Sequence, residues 1–392
     1  MPLKDRVYFC PSCKDPLTII YNDQELEERA AIGFHGRGVW RYTSFLPFKG
    51  NEEKVTLNEG NTPLHVSVNI FRELKLSFLA FKNEGLNPTA SFKDRGMTVA
   101  TTRAKQIGSK VVACASTGNT AASCAAYASR ANMLCAVIIP EGQIAFGKLA
   151  QSIAHGAKII KVKGNFDDAL ETLLKLCEEN EKIYLMNSVN PFRLEGQKTI
   201  GFEIWEQMGN KMPDWISIPV GNAGNITALW KGIKELKGAK LVDEVPRLLG
   251  VQAEGASPIA DAFHKGLNEI MPIESPTTIA TAIRIGKPAS WRRALKAVRE
   301  SKGYMVKVSD EEIIEAQKIL ARKEGIFVEP ASASSLAGLK KALDLGVIDK
   351  GSSVVAILTG HGLKDPEAVQ RLNYEEVSIK PNPLELAKVL GI

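Results

Sequence analysis

Short apolar runs recur along the chain between polar, helix-like stretches. The runs "VVACAS" (111–116), "LCAVIIP" (134–140), "KIIKVKG" (158–164) and "IYLMNS" (183–188) read as buried parallel strands. So do "WISIPVG" (215–221), "RLLGVQAEG" (247–255) and "SVVAILTG" (353–360). Between them lie helical patterns. "DRGMTVATTRAKQIG" ends at Gly108 and "NTAASCAAYASRAN" ends at Asn132. "NFDDALETLLKLCEEN" begins with Asn165 as N-cap, and "SDEEIIEAQKILARKEG" carries a capping box, Ser309 followed by Glu312. Strand–helix alternation of this kind predicts an α/β fold with parallel sheets. With 392 residues, two sheets and hence two lobes with a cleft between them fit the length. In such folds ligands bind at the carboxyl ends of the strands. Residues 1 to about 55 look irregular apart from a helical patch at "DQELEERAA", and there is no internal repeat or low-complexity linker.

Composition narrows the class. Hydrophobic content of 44% and charged content of 24% are those of an ordinary globular protein with ample core. The net charge of +6 is spread along the chain, which gives nucleic-acid binding little support and suits an anionic small molecule. "MPLKDRVYFCPSCKD" at the start has no apolar h-region of a secretory signal. The longest uncharged run, "VVACASTGNTAASCAAYAS", holds Ser116, Thr117, Asn119 and Thr120 at its centre and does not read as a membrane span. Of six cysteines, four lie in apolar surroundings, and the expectation is a cytosolic protein with reduced thiols. Cys10 and Cys13 alone have metal-ligand spacing; one CxxC supplies two of the four ligands that a structural zinc needs, so a simple turn is the default and no metal is expected.

Four stretches could carry chemistry. In "PVGNAGNITALW" (219–230) a strand enters Gly221-Asn222-Ala223-Gly224-Asn225 and then a helix, a suitable cup for a phosphate; the alternative is a tight turn without a ligand. "ACASTGNTAASC" repeats the pattern, with Ser116 to Thr120 offering hydroxyls, an amide and N–H groups to a carboxylate or phosphate; an ordinary Ser or Thr N-cap explains it equally simply. In "AILTGHGLKDP" (356–366) Thr359 ends a strand and can make one directed bond to a ligand ring atom, while His361 suits packing better than catalysis. In "LMNSVNPFRLEGQKT" (185–199) Asn187, Ser188 and Arg193 follow a strand end, and Arg193 can fork onto an anion or remain a surface charge. "GQIAFGKL" (142–149) imitates a P-loop but has Leu149 where a magnesium-ligating Ser or Thr is required.

Beside these parts, Lys93 in "NPTASFKDRG" (87–96) changes meaning. Alone it reads as a solvated lysine. Pyridoxal phosphate requires an amine for a Schiff base, a phosphate cradle and a partner for its ring nitrogen, and the chain offers all three.

Together "NPTASFKDRG", "STGNTAAS", "NSVNPFRLEGQKT", "GNAGN", "TAIRIGKPASW" and "LTGHGLKDP" resemble the threonine synthase family of fold-type II pyridoxal-phosphate enzymes, over about residues 55 to 370. The resemblance implies a two-lobed α/β fold of the tryptophan synthase β type. Residues 1–55 would form an N-terminal segment, 56–90 with 191–392 a large cofactor-binding lobe, and 91–190 a small mobile lobe. It implies that Lys93 forms the Schiff base and transfers protons. Asn119 would bond the cofactor's phenolic oxygen, Gly221, Asn222, Ala223, Gly224 and Asn225 its phosphate, and Thr359 its pyridine nitrogen. Ser116, Thr117 and Thr120 would hold the substrate's carboxylate or phosphate, and Asn187, Ser188 and Arg193 the phosphate of O-phosphohomoserine. The family's habit is a homodimer. A cysteate synthase relative needs no pocket for a γ-phosphate, so Asn187, Ser188 and Arg193 speak against it; a threonine or serine dehydratase lacks the 187–199 and 360–366 stretches; a non-catalytic binding module has no need to keep Lys93 with every cofactor partner.

Overall fold

A computed structural model describes residues 6–49, 52–142, 146–371 and 376–392. The first five residues and positions 143–145 of the P-loop look-alike therefore lie outside the described residues. Among the described residues ten strands follow in chain order: β1 (Leu64–Val66), β2 (Phe78–Asn83), β3 (Val111–Ala115), β4 (Leu134–Pro140), β5 (Lys158–Val162), β6 (Ile183–Leu185), β7 (Trp215–Pro219), β8 (Arg247–Ala253), β9 (Tyr304–Val308) and β10 (Ser353–Leu358). They form two sheets. The larger has the order β1-β2-β10-β7-β8-β9, and the smaller β5-β4-β3-β6. Every pairing is parallel except β1 with β2.

Both sheets are covered on both faces, which is why their central strands read as unbroken apolar runs. On the larger sheet Leu79, Phe81, Val354 and Ala356 face the helices Asp310–Glu324 and Pro330–Asp344, while Ala80, Val355 and Ile357 face Gly224–Gly238 and Trp291–Glu300. On the smaller sheet Val112, Cys114 and Val137 face Lys93–Gln106 and Asn119–Arg130, and Ala113, Ala115 and Ile138 face Phe166–Glu179. Cys114, Cys124, Cys135 and Cys177 are buried free thiols.

Four expectations change. β5 is an edge strand, not a buried one: Lys158, Ile160 and Lys161 are exposed, because nothing pairs beyond it among the described residues. β6 stops at Leu185 rather than Ser188, because the Asn187 side chain takes over the pairing with Ala115. The helix after Gly221–Asn225 begins at Gly224 rather than near Ile226. The capping boxes at Asn165 (with Asp168) and Ser309 (with Glu312) are present. The N-terminal segment is not wholly irregular either, since Gly38–Phe45 forms a 3-10 helix. Around Cys10 the chain makes a tight turn, with Cys10 N bonded to Asp15 O at 2.8 Å and Lys14 N to Cys10 O at 3.0 Å. The backbone N–H groups of Cys13 and Ser12 pull the Cys10 thiol down. No group of three or more His, Cys, Asp or Glu side chains among the described residues is placed to hold a metal ion. None of the described helices is long and apolar enough to cross a membrane.

Candidate active site

The "NPTASFKDRG" loop runs from β2 to the helix Lys93–Gln106 and is held rigidly before it delivers its lysine. Asn87 Nδ2 donates to Glu84 Oε2 at 3.0 Å, and Asn87 Oδ1 accepts from Gly60 N at 2.9 Å. Asp94 is fully buried; it accepts from Thr89 N and Oγ1 at 2.6 and 2.5 Å and from Ser123 Oγ at 2.5 Å, which fastens the loop to the helix Asn119–Arg130. Arg95 is also fully buried. Its guanidinium pairs with Glu84 at 2.6 and 2.7 Å and with Glu203 at 2.8 and 2.7 Å, and Lys82 meets Glu203 at 2.7 Å. Bidentate pairs of this kind fix direction as well as distance. Gly96 and Gly196 let the helix Pro191–Gln197 lie against this one: a Cβ on Gly96 would come 2.8 Å from Arg193 O.

Lys93 therefore emerges from a scaffold with little freedom. Phe92 N donates to Thr359 O at 3.0 Å and His361 N to Ala90 O at 3.0 Å, so the lysine loop is laced to the end of β10. The Nζ lies 4.2 Å from the centroid of the Phe92 ring, and no hydrogen bond or ion pair engages it among the described residues. Burial and the Arg193 cation push its pKa down to about 7, against the pull of Glu329. An amine in that range exchanges between its neutral and charged forms near neutrality, which suits a nucleophile and proton carrier.

Of the other expected residues, Arg193 acts on the Lys93 charge and Thr359 is laced to Phe92. Gly221 must be glycine because a Cβ would meet Ile283 Cα at 2.9 Å, where the 281–290 stretch walls the loop. Ala223 sits in the left-handed region, with φ of 64°, which turns successive N–H groups inward as in an anion nest. Asn225 is 7% exposed, yet neither its Nδ2 nor its Oδ1 has a partner among the described residues. Over Gly224 a Cβ would touch nothing closer than 3.9 Å. An orphaned buried amide, open space and the N-terminus of a fifteen-residue helix fit a phosphate. Asn222 is otherwise committed: its Nδ2 donates to Ser188 Oγ at 2.6 Å and its Oδ1 accepts from Ala289 N at 2.6 Å.

Thr359 is 5% exposed, with Oγ1 3.1 Å from Ser332 Oγ, which is itself bonded to the Gly360 backbone. His361 packs against Phe327 and accepts from Leu363 N, as a packing residue should. Gly118, not Ser116, Thr117 or Thr120, is the N-cap of the helix Asn119–Arg130, and as a glycine it offers no side chain to cap the first turn. Ser116 Oγ accepts from Gly118 N at 3.2 Å; Thr117 and Thr120 are half-buried, with hydroxyls free of hydrogen bonds among the described residues. Asn119 Nδ2 donates to Glu329 at 3.1 and 3.2 Å.

Arg193 is no surface charge. It is 1% exposed, and Nη1 donates to Met186 O at 3.0 Å while Nε and Nη2 have no partner among the described residues. Burial lowers its pKa to about 10, so it stays cationic near neutrality. A buried guanidinium with two free N–H directions fits an anionic ligand. Asn187 differs from expectation: both ends of its amide bind the Ala115 backbone at 3.0 Å, so it holds β3 and β6 in register.

The residues that sequence reasoning passed over are Glu84, Glu203, Asp94, Arg95 and Glu329. Asp94 and Arg95 stood in the quoted motif, and their position beside Lys93 was the available signal. Glu329 precedes a proline at a helix start, where an acid ordinarily reads as a solvated N-terminal charge.

A family model described as pyridoxal-phosphate dependent enzyme matches residues 55–360. The chain is 53% identical to the threonine synthase of Methanocaldococcus jannaschii, over 98% of this chain and 96% of that one. It is 50% identical to that of Methanosarcina acetivorans over 96% and 92%, and 52% identical to that of Mycobacterium tuberculosis over 90% and 95%. Among solved structures, maize serine racemase superposes with a TM-score of 0.66 at 23% identity, covering 89% of this chain and 94% of that one. A threonine deaminase from Solanum lycopersicum gives 0.65 at 22%, covering 80% and 88%. At that identity the structures speak to the fold, which is fold-type II.

Proposed function

The chain belongs to the threonine synthase family of pyridoxal-phosphate dependent enzymes, acting as a lyase that converts O-phospho-L-homoserine and water into L-threonine and phosphate, and we propose how its cleft carries that reaction. Lys93 is the Schiff-base lysine. Gly221–Asn225 hold the cofactor phosphate, chiefly through backbone N–H groups and the Asn225 amide. Thr359 would meet the ring nitrogen with a neutral hydroxyl, and Asn119 would bind the phenolic oxygen. When bound, pyridoxal phosphate supplies an electron sink for charge that develops beside the substrate's amino group.

The chain's own groups do the rest. Ser116, Thr117 and Thr120 receive the substrate carboxylate at a helix N-terminus. The unpaired Nε and Nη2 of Arg193 hold the substrate phosphate. Asn222 and Ser188 line the same wall, bonded to each other. Asn187 contributes by fixing the Ala115 turn that carries Ser116. Lys93 Nζ takes the α-proton and releases it before the next transfer, then takes the β-proton as the phosphate departs from the γ-carbon and returns it to that carbon. Water then adds its hydroxyl at the β-carbon, and of the two protons left over, the first one released and the second from water, one returns to the α-carbon and the other goes to the phosphate. One amine with a pKa near 7 serves both directions of transfer.

We place residues 1–55 as an N-terminal segment, 56–90 and 191–392 as the large lobe, and 91–190 as a small lobe that closes on substrate to keep water out until the addition step. The enzyme works in the cytoplasm as a homodimer. The observation that carries the reading is Lys93, without a hydrogen-bond partner among the described residues and with its pKa pushed down to about 7 by burial and by the buried, half-satisfied Arg193. The test is phosphate release from O-phosphohomoserine by the protein loaded with pyridoxal phosphate. Wild type is expected to release phosphate and Lys93→Ala to release none; equal release by both would overturn the assignment.

A further inference from the structure

A carboxylate stands where the cofactor reading gives it no task. Glu329 caps the helix Pro330–Asp344 and is 4% exposed. Its backbone N donates to Gly360 O at 3.1 Å, and a Cβ on Gly360 would lie 2.6 Å from its Oε1. Glycine at 360 thus makes room for this side chain immediately beside Thr359. Both carboxylate oxygens accept from Asn119 Nδ2, at 3.2 and 3.1 Å, across the gap between the two sheets' helices. Burial pushes the Glu329 pKa up, while the Asn119 hydrogen bond and the Lys364 and Lys93 cations oppose it and Asp365 adds to it. Lys364 itself faces Glu329 and Asp94.

An amide nitrogen carries two hydrogens and its oxygen none, and here it is the nitrogen that faces both Glu329 oxygens. The pairing therefore decides which end of the Asn119 amide faces Glu329. One N–H is committed to the carboxylate and the other stays available. Without the carboxylate, nothing among the described residues prevents the amide from turning its oxygen toward the same place, where it would repel a phenolic oxygen. We propose that Glu329 is a positioning residue for the cofactor: it holds Asn119 with one N–H free for the ring oxygen of pyridoxal phosphate. This rests on the reading of Asn119 as that oxygen's partner.

The test is a double-mutant cycle read by cofactor affinity and by the pH midpoint of the bound cofactor's visible band, neither of which requires turnover. Losing one hydrogen bond to a charged or strongly polar partner weakens binding by about tenfold to a hundredfold. Glu329→Leu and Asn119→Ala are each expected to raise the dissociation constant for pyridoxal phosphate in that range and to move the midpoint in the same direction. The double variant is expected to be no worse than Asn119→Ala alone. Glu329→Gln, which keeps one acceptor and the same size, should fall between wild type and Glu329→Leu, and it carries the comparison should the leucine variant not fold. If Asn119→Ala changes neither readout, the reading of Asn119 itself fails. If Asn119→Ala acts but the Glu329 variants match wild type, or if the two losses add in full, the positioning role of Glu329 is wrong.

Discussion

The backbone at Gly196 runs so close to Arg95 that a Cβ there would lie 1.8 Å from the Arg95 carbonyl oxygen. Two helices meet at this point. One begins with Lys93 and the other carries Arg193, so the contact sets the spacing between the reactive amine and the buried guanidinium. Gly196→Ala should force the helices apart. Overpacking of this kind costs about 1–3 kcal/mol, and urea unfolding should register that loss. The same variant should also lose kcat, because a small displacement of Lys93 spoils proton transfer.

Arg95 matters as scaffold. Truncating one partner of a buried ion-pair network leaves the others uncompensated, at about 3–5 kcal/mol. Arg95→Met should therefore unfold at markedly lower urea concentration than wild type, with Glu84 deprived of its cation and Glu203 left to Lys82. The network also makes the fold sensitive to acid. Burial pushes Glu203 up, but Arg95 and Lys82 outweigh it and hold its pKa well below the ordinary 4.5. A carboxyl depressed in the folded state stabilises above its unfolded pKa and loses that contribution as pH falls. Stability should drop on acidification below about pH 4.5, and less steeply in Glu203→Gln.

Lys93 should titrate apart from the other lysines. With a pKa of about 7, its reactive neutral form appears as pH rises through neutrality. Acetic anhydride labelling of the cofactor-free protein, followed residue by residue by mass spectrometry, should show a midpoint near 7 for Lys93 and higher midpoints for exposed lysines. Arg193→Met removes one of the two influences that lower this pKa, so the Lys93 midpoint should move upward. An unchanged midpoint would mean that burial alone sets it.

Arg193→Met should also discriminate among ligands. Losing a charged hydrogen-bond partner costs about 1.5–3 kcal/mol, or about tenfold to a hundredfold in kcat/KM. Inorganic phosphate should compete with substrate in wild type and do so far more weakly in the variant. Affinity for pyridoxal phosphate, held by Gly221–Asn225, should change much less, which equilibrium dialysis can check.

Much of this arrangement is legible in the sequence, for particular reasons. β3, β4, β7 and β10 are buried on both faces, so their apolar runs stand out. β1 and β2 do not. β1 has three residues at a sheet edge, and β2 contains Lys82, a charge whose burial makes sense only beside Glu203, far away in the chain. The same limit hides Glu329 and the fate of Asn187. Each is defined by a partner brought near by folding, Asn119 in one case and the Ala115 backbone in the other. Lys93 was readable because its companions follow strand ends in recognisable turns; Arg193 was readable as a residue but not as a buried one.

The central claim is that the bond broken is the carbon–oxygen bond at the substrate's γ-carbon and that water enters at the β-carbon. The most direct measurement is turnover of O-phosphohomoserine by the holoenzyme in water enriched in oxygen-18, with both products analysed by mass spectrometry. The account predicts threonine carrying the label in its hydroxyl group and an equal amount of phosphate carrying none. Unlabelled homoserine with labelled phosphate would mean cleavage at phosphorus and would contradict it.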